Sequence, residues 1–141
     1  MEHLYFAYGS NLDVGEMKRR CPEAEGIGPA VLDNWRLAER YYADIEASRG
    51  DRVHGVLYVV TDRDLAMLDV CEGCPELYER IGVEVVDAAG ASRTAWVYTM
   101  TAEYKQRCGA ERYPESYRAV CAAGAEFWGI PNAFGDLDAE R

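Results

Sequence analysis

Residues 26–60 carry strand patterning with no helix between them, and that run limits the fold more than any other feature of the chain. Gly26 to Tyr42 reads as extended, with Val31, Trp35, Leu37 and Tyr41 on odd positions and Asp33-Asn34 as a turn. Ala43 to Ala47 suits a further short strand, Ser48-Arg49-Gly50-Asp51 a polar loop, and the β-branched run Val53 to Val60 a buried strand. A doubly wound parallel sheet needs a crossover helix between successive strands, and this stretch offers none.

The flanks add helices without restoring a strict alternation. Residues 4–8 form a first strand that stops at Tyr8-Gly9-Ser10-Asn11, after which Asp13 caps a short helix running to Arg20 and ended by Cys21-Pro22. Thr61-Asp62-Arg63-Asp64 supplies an N-cap and an acidic first turn for a second helix. Leu65, Leu68 and Val70, with Met67, are its expected buried side, and Gly73 and Pro75 terminate it. Residues 78–86 and 93–100 read as a hairpin around a turn at 87–90. Pro114 opens a last helix whose Tyr117, Val120, Cys121, Gly124 and Phe127 recur at helical spacing, a stripe expected to be mostly core. The class is therefore α+β: a small barrel or strongly curved sheet flanked by helices. Residues 1–131 are expected to form one domain. Residues 132–141 are read as a frayed acidic tail, with Phe134 and Leu137 as its possible anchors.

Charge and cysteine usage then remove several functions. With 25 acidic and 15 basic residues the net charge is −10, which repels a phosphate backbone and argues against nucleic acid as a partner. No stretch has the length of a membrane span, and Met1-Glu2-His3 lacks the basic flank of a signal peptide, so a cytoplasmic protein is expected. Cys21, Cys71, Cys74, Cys108 and Cys121 are odd in number and scattered, unlike a disulfide framework. Only Cys71-Glu72-Gly73-Cys74 has a familiar spacing, and a zinc site would need a second such pair.

Two features can carry chemistry. A glycine followed by Ser-Asn at a strand end lets successive backbone N–H groups converge, a nest suited to carboxylates, phosphates and oxyanions; a plain turn into a capped helix is the alternative. Glu72 ends an apolar helix between two cysteines. Partial desolvation there would lift its pKa toward neutrality, and Asp69, three residues earlier, would push the same way. The alternative is an exposed glutamate at a helix C-terminus. Among ten tyrosines, the hydroxyls of Tyr5, Tyr8, Tyr78, Tyr98 and Tyr117 could line a polar cleft or simply pack.

In combination these segments are more specific than separately. Tyr5-Phe6-Ala7-Tyr8-Gly9-Ser10-Asn11-Leu12 resembles the N-terminal signature of the γ-glutamylcyclotransferase-like superfamily. Val56-Leu57-Tyr58 leading to Leu68-Asp69-Val70-Cys71-Glu72-Gly73 is similar to its second signature, which carries the catalytic glutamate. Tyr78, the strand Trp96 to Met100, and the helix with Pro114-Glu115-Ser116-Tyr117 match later landmarks in order, closest to the γ-glutamylcyclotransferase branch.

The resemblance implies a cofactor-independent, metal-free cyclising lyase or acyltransferase that releases 5-oxoproline from a γ-glutamyl amino acid or γ-glutamyl amine. Glu72 would be the general base and acid. Tyr5, Phe6, Ala7, Tyr8, Gly9, Ser10 and Asn11 would shape the substrate site, with Tyr78, Tyr98 and Tyr117 closing it. The resemblance permits a homodimer. A non-catalytic protein of the same fold that binds a small carboxylate or γ-glutamyl compound is the other reading, and the retained glutamate argues against it. The paired cysteines are not required by such a mechanism. A Cys71–Cys74 disulfide that displaces Glu72 would be a redox switch, and full activity in oxidant would dismiss it.

Overall fold

The computed structural model describes residues 1–135. In chain order the elements are β1 (Glu2–Ala7), a single 3-10 turn (Ser10–Leu12), α1 (Val14–Arg20), β2 (Glu25–Arg40), β3 (Tyr42–Thr61), α2 (Asp62–Glu72), β4 (Tyr78–Asp87), β5 (Ser92–Met100), α3 (Ala102–Cys108) and α4 (Glu115–Trp128). The five strands close into a barrel in the order β1-β3-β2-β4-β5. Neighbours are antiparallel except β1 and β5, which close the barrel in parallel at Tyr5 and Trp96. The α+β barrel with outer helices expected from the element order is the observed architecture.

The region between residues 26 and 60 is simpler than the sequence suggests. It forms one long hairpin, β2 against β3, not three strands and a loop. Asp33-Asn34 is a bulge within β2, with Asn34 at φ 67° and its Oδ1 accepting from the Gly50 N–H at 3.1 Å. Opposite the bulge, Ser48 to Asp51 continues as strand. Between the pairs Asp33–Arg52 and Trp35–Ala47 the register skips Asn34 on β2 and Ser48 to Asp51 on β3, so these polar residues leave the ladder locally without ending either strand. The bulge also switches the inward face: Ala30 and Leu32 point into the core before it, Trp35 and Leu37 after it. The expected inward set of odd positions therefore holds only beyond Asn34, and Tyr41 lies at the exposed tip with φ 71°.

The buried strand residues are Phe6, Leu32, Val56, Leu57, Val60, Val85 and Val97; Val56 and Leu57, being consecutive, face opposite sides, so the sheet is packed on both its faces. Gly55 lets β1 and β3 approach, since a Cβ there would stand 2.4 Å from the Ala7 carbonyl oxygen and 2.6 Å from the Phe6 ring. On α2, Thr61 and Asp64 form a reciprocal capping box, and Gly73 ends the helix in the left-handed region at φ 67°. Leu65 and Leu68 are buried as expected, but Met67 is 47% and Val70 76% exposed. At 100° per residue those two fall on the opposite face, whereas Glu72, two turns after Leu65, returns to the buried one.

On α4 the inward residues are Cys121, Gly124 and Ala125, while Phe127 is 68% exposed. The aromatic anchor is its neighbour Trp128, two turns after Cys121, whose Nε1–H donates to the Leu12 carbonyl at 3.0 Å. Residues 101–113, for which the sequence pattern names no element, contain α3, which is capped by Thr101 and buries none of its residues. It therefore has no apolar stripe to announce it. Phe134 packs on Tyr113 with ring centroids 5.7 Å apart, and Leu137 lies outside the described residues. Among the described residues no helix is long and apolar enough to cross a membrane.

Candidate active site

One end of the barrel opens into a cavity of about 540 Å³ where the end of β1, the end of α2, the tip of the β2–β3 hairpin and the start of α4 meet. Glu72, Tyr5, Tyr8, Gly9, Ser10, Asn11, Tyr78, Tyr98 and Tyr117 all line it. Phe6 and Ala7 do not. Alternation along β1 turns Phe6 away from Tyr5 into the barrel core, and Ala7 is fully buried with its carbonyl against Gly55. Those two residues build the strand and not the wall.

The turn after β1 is held tightly from both sides. Asp13 caps α1 by accepting from the Glu16 N–H at 3.0 Å, and the Leu12 N–H returns to the Gly9 carbonyl at 3.0 Å. Among the described residues, the hydrogen bonds leave the N–H groups of Gly9, Ser10 and Asn11 without a protein acceptor. A Cβ at Gly9 would stand 3.1 Å from the Tyr117 hydroxyl and 3.3 Å from the Ala43 methyl, so glycine here admits the tyrosine to the turn. Asn11 is 2% exposed, donates through Nδ2 to the Tyr5 hydroxyl at 3.0 Å, and accepts at Oδ1 from Arg20 at 3.0 Å.

Three of the cavity tyrosines are fixed by backbone partners. The Tyr8 hydroxyl donates to the Tyr98 carbonyl at 2.7 Å, and the Tyr78 hydroxyl to the Ala43 carbonyl at 2.8 Å. The Ala43 N–H in turn donates to the Tyr117 hydroxyl at 3.1 Å. Both ends of one residue at the hairpin tip are therefore clamped by cavity tyrosines. Burial drives the hydroxyls of Tyr5, Tyr8, Tyr78 and Tyr117 far above their ordinary pKa. They are neutral hydrogen-bonding groups at any physiological pH.

Glu72 is half-buried, and desolvation raises its carboxyl from 4.5 to about 7 against the opposing charge of Arg20. Asp69 does not contribute to that rise, contrary to expectation. Its carboxylate is paired with Arg80 at 2.9 and 3.2 Å and accepts from the Tyr98 hydroxyl at 2.6 Å. Arg80 itself stacks 4.6 Å from the Trp96 ring centroid. Charge neutralised in this way has little left to exert on a neighbour. The five cysteines are free thiols; Cys71 is exposed at the cavity wall and Cys74 half-buried.

Sequence reasoning missed Arg20, Tyr42 and Asp44. Arg20 and Tyr42 line the cavity. Asp44 is completely buried behind it and accepts from the Met100 N–H at 2.8 Å and the Thr99 hydroxyl at 3.1 Å. It also lies 3.2 Å from Arg40 Nε and 3.9 Å from Lys105 Nζ. The Glu16–Arg20 spacing marks an ion pair on a helix but says nothing of what that face meets. Nothing local distinguishes Asp44 from the other surface-like carboxylates of residues 43–52.

Comparison with known proteins bears on the same region. A family model described as gamma-glutamyl cyclotransferase, AIG2-like, matches residues 5–119. A gamma-glutamylcyclotransferase of Bos taurus is 33% identical over 143 residues, spanning 91% of this chain and 72% of the bovine one. That of Mus musculus is 32% identical over 146 residues, spanning 93% and 74%. A solved structure of a gamma-glutamyl cyclotransferase superposes with a TM-score of 0.79 at 28% identity, covering 93% of this chain and 82% of that one. The chain belongs to the gamma-glutamyl cyclotransferase, AIG2-like family.

Proposed function

We propose that the protein releases 5-oxoproline from a γ-glutamyl amino acid or γ-glutamyl amine, with Glu72 as proton shuttle. The substrate's α-amine loses a proton and attacks its own γ-carbonyl, closing a five-membered ring and expelling the amine. Both reacting groups belong to one molecule, so the cavity chiefly has to fold the chain into a near-attack conformer. Glu72 takes the ammonium proton and returns it to the departing nitrogen, and one carboxylate can serve both because both nitrogens meet at the same tetrahedral carbon.

The observation that carries this reading is the Glu72 carboxyl held near pH 7 inside a cavity rimmed by backbone donors. Handing the α-ammonium proton to a group titrating at about 7 instead of 4.5 makes the transfer easier by about 3 kcal/mol. The unpartnered N–H groups of the Gly9-Ser10-Asn11 turn suit the α-carboxylate or the oxyanion, at about 3 kcal/mol of barrier for each well-placed donor. Tyr117, Tyr78 and Tyr98 close the pocket around the folded chain.

The test is incubation of the purified chain with a panel of γ-glutamyl amino acids, γ-glutamyl amines and glutathione, with 5-oxoproline assayed by mass spectrometry. Glu72→Gln should abolish turnover and keep the fold. A fully active Gln variant refutes the assignment, and binding across the panel without product refutes catalysis.

A further inference from the structure

We infer that Arg20 is the receptor for the substrate's α-carboxylate, a role that rests on the cyclotransferase reading above. Arg20 is the one Lys, Arg or His side chain among the described residues that line the cavity. In a chain of net charge −10, an anionic headgroup entering that cavity meets its only local counter-charge there.

Position follows from the chemistry of the headgroup. The γ-glutamyl α-carbon bears both the ammonium and the carboxylate, so their two partners have to be neighbours on the wall. Glu72 takes the ammonium. Arg20 is close enough to Glu72 to oppose the effect of burial on it, which places a cation beside the base where the carboxylate must lie. The other acid on the wall, Glu16, is already ion-paired with Arg19 and lies 3.6 Å from Arg20, which leaves Glu72 as the wall carboxylate with no ion-pair partner among the described residues.

Arg20 is also prepared for the task. It ends α1 with its side chain 27% exposed, and its Nη1 donates to Asn11 Oδ1 at 3.0 Å. Asn11 is itself buried and tied to Tyr5, so the guanidinium plane is fixed by a group that cannot move. A guanidinium has five N–H donors; here only Nη1 is hydrogen-bonded, and Nη2 lies 3.6 Å from Glu16 Oε2, a loose contact that a substrate carboxylate would replace. With the carboxylate on Arg20, the backbone donors of the Gly9 turn are left for the oxyanion of the γ-carbonyl.

The experiment compares wild type, Arg20→Gln and Arg20→Lys on two substrates that share a leaving amine. One is the fastest γ-glutamyl compound of the panel; the other is the matching 4-aminobutyryl amide, which lacks the α-carboxylate and closes to 2-pyrrolidinone. Taken on the alkaline plateau of each pH profile, where Glu72 is ionised in every variant, kcat/KM is expected to fall about 100-fold on the first and less than about 3-fold on the second in Arg20→Gln, with Arg20→Lys intermediate. Where wild type does not turn over the analogue, inhibition by 5-oxoproline and by 2-pyrrolidinone replaces it, and only the former should weaken, by about 10-fold or more. Equal losses on both compounds, or no loss on either, overturn the role of Arg20. Thermal melts of the three proteins, and the retained charge of the Lys variant, separate this from misfolding. Absence of 5-oxoproline from every substrate with wild type refutes instead the cyclotransferase reading.

Discussion

Glu72→Gln should remove activity and, by the same physics, stabilise the fold at alkaline pH. Burial raises the folded carboxyl to about 7, while the unfolded chain returns it to 4.5. Between those values the folded protein holds a proton that the unfolded chain has released. Stability therefore falls as pH rises through that window, the reverse of an ion-paired carboxylate. The separation of the two values converts to about 3 kcal/mol, and water screening of a half-buried side chain reduces it to about 2 kcal/mol. Gln carries no charge at any pH, so the stability difference in favour of Gln should grow by about 2 kcal/mol between about pH 5 and about pH 8. For a domain of this size that is a melting-temperature gap widening by roughly 6 °C. Calorimetric or fluorescence melts of the two proteins at both pH values provide the measurement. A constant offset between the two melting curves means that Glu72 is not desolvated, and the argument for its role as base at neutral pH fails with it.

Three further outcomes are expected. The acid limb of kcat/KM should fall near pH 7, where Glu72 protonates, and Arg20→Gln should move it upward, because the charge opposing desolvation is gone; a limb unmoved in the variant contradicts the electrostatic link. Gly124→Ala should destabilise by about 3 kcal/mol in urea unfolding, since its Cβ would stand 2.4 Å from the Leu12 carbonyl carbon and 2.5 Å from the Asp13 nitrogen, both backbone. Asp44→Ala should cost about 3 kcal/mol and raise KM, because the Met100 N–H loses its acceptor and the clamped hairpin tip is freed, while an unchanged KM would separate Asp44 from the site.

What the sequence disclosed and what it hid divide along a physical line. Caps, breakers and strand patterning are local, so α1, α2, α4 and the β4–β5 hairpin were legible from Asp13, Thr61, Gly73 and Pro114. Asp33-Asn34 and Ser48 to Asp51 misled because a bulge and a turn use the same residue types, and only the partner strand distinguishes them. Met67 and Phe127 misled because apolar character was counted without its angle around the helix, which gives the inward places to Leu68 and Trp128. At the site, Glu72 and the Gly9 turn were visible because each breaks a local rule: a carboxylate at a helix C-terminus and a glycine at a strand end. Arg20 and Asp44 break none. Their meaning arises only when the barrel brings α1 to α2 and the hairpin tip to the end of β5.

In the proposed reaction a single carboxylate is base and acid in turn. In the free protein the desolvation of Glu72 is partly offset by Arg20, which keeps an ionised fraction ready near neutrality. A substrate carboxylate on Arg20 cancels that offset, yet its ammonium, on the same carbon, supplies a new positive charge to Glu72. The base stays ionised only while the ammonium remains charged. Once the proton has crossed, no cation is left facing Glu72, and burial holds the proton on the carboxyl until the leaving nitrogen accepts it. A site with the glutamate but without a cation at position 20 would start with its base largely protonated. A site with two cations would bind the carboxylate and then release the proton too readily, to water instead of the departing amine. On this proposal one arginine held by Asn11 and one half-buried glutamate lining the same cavity meet both demands.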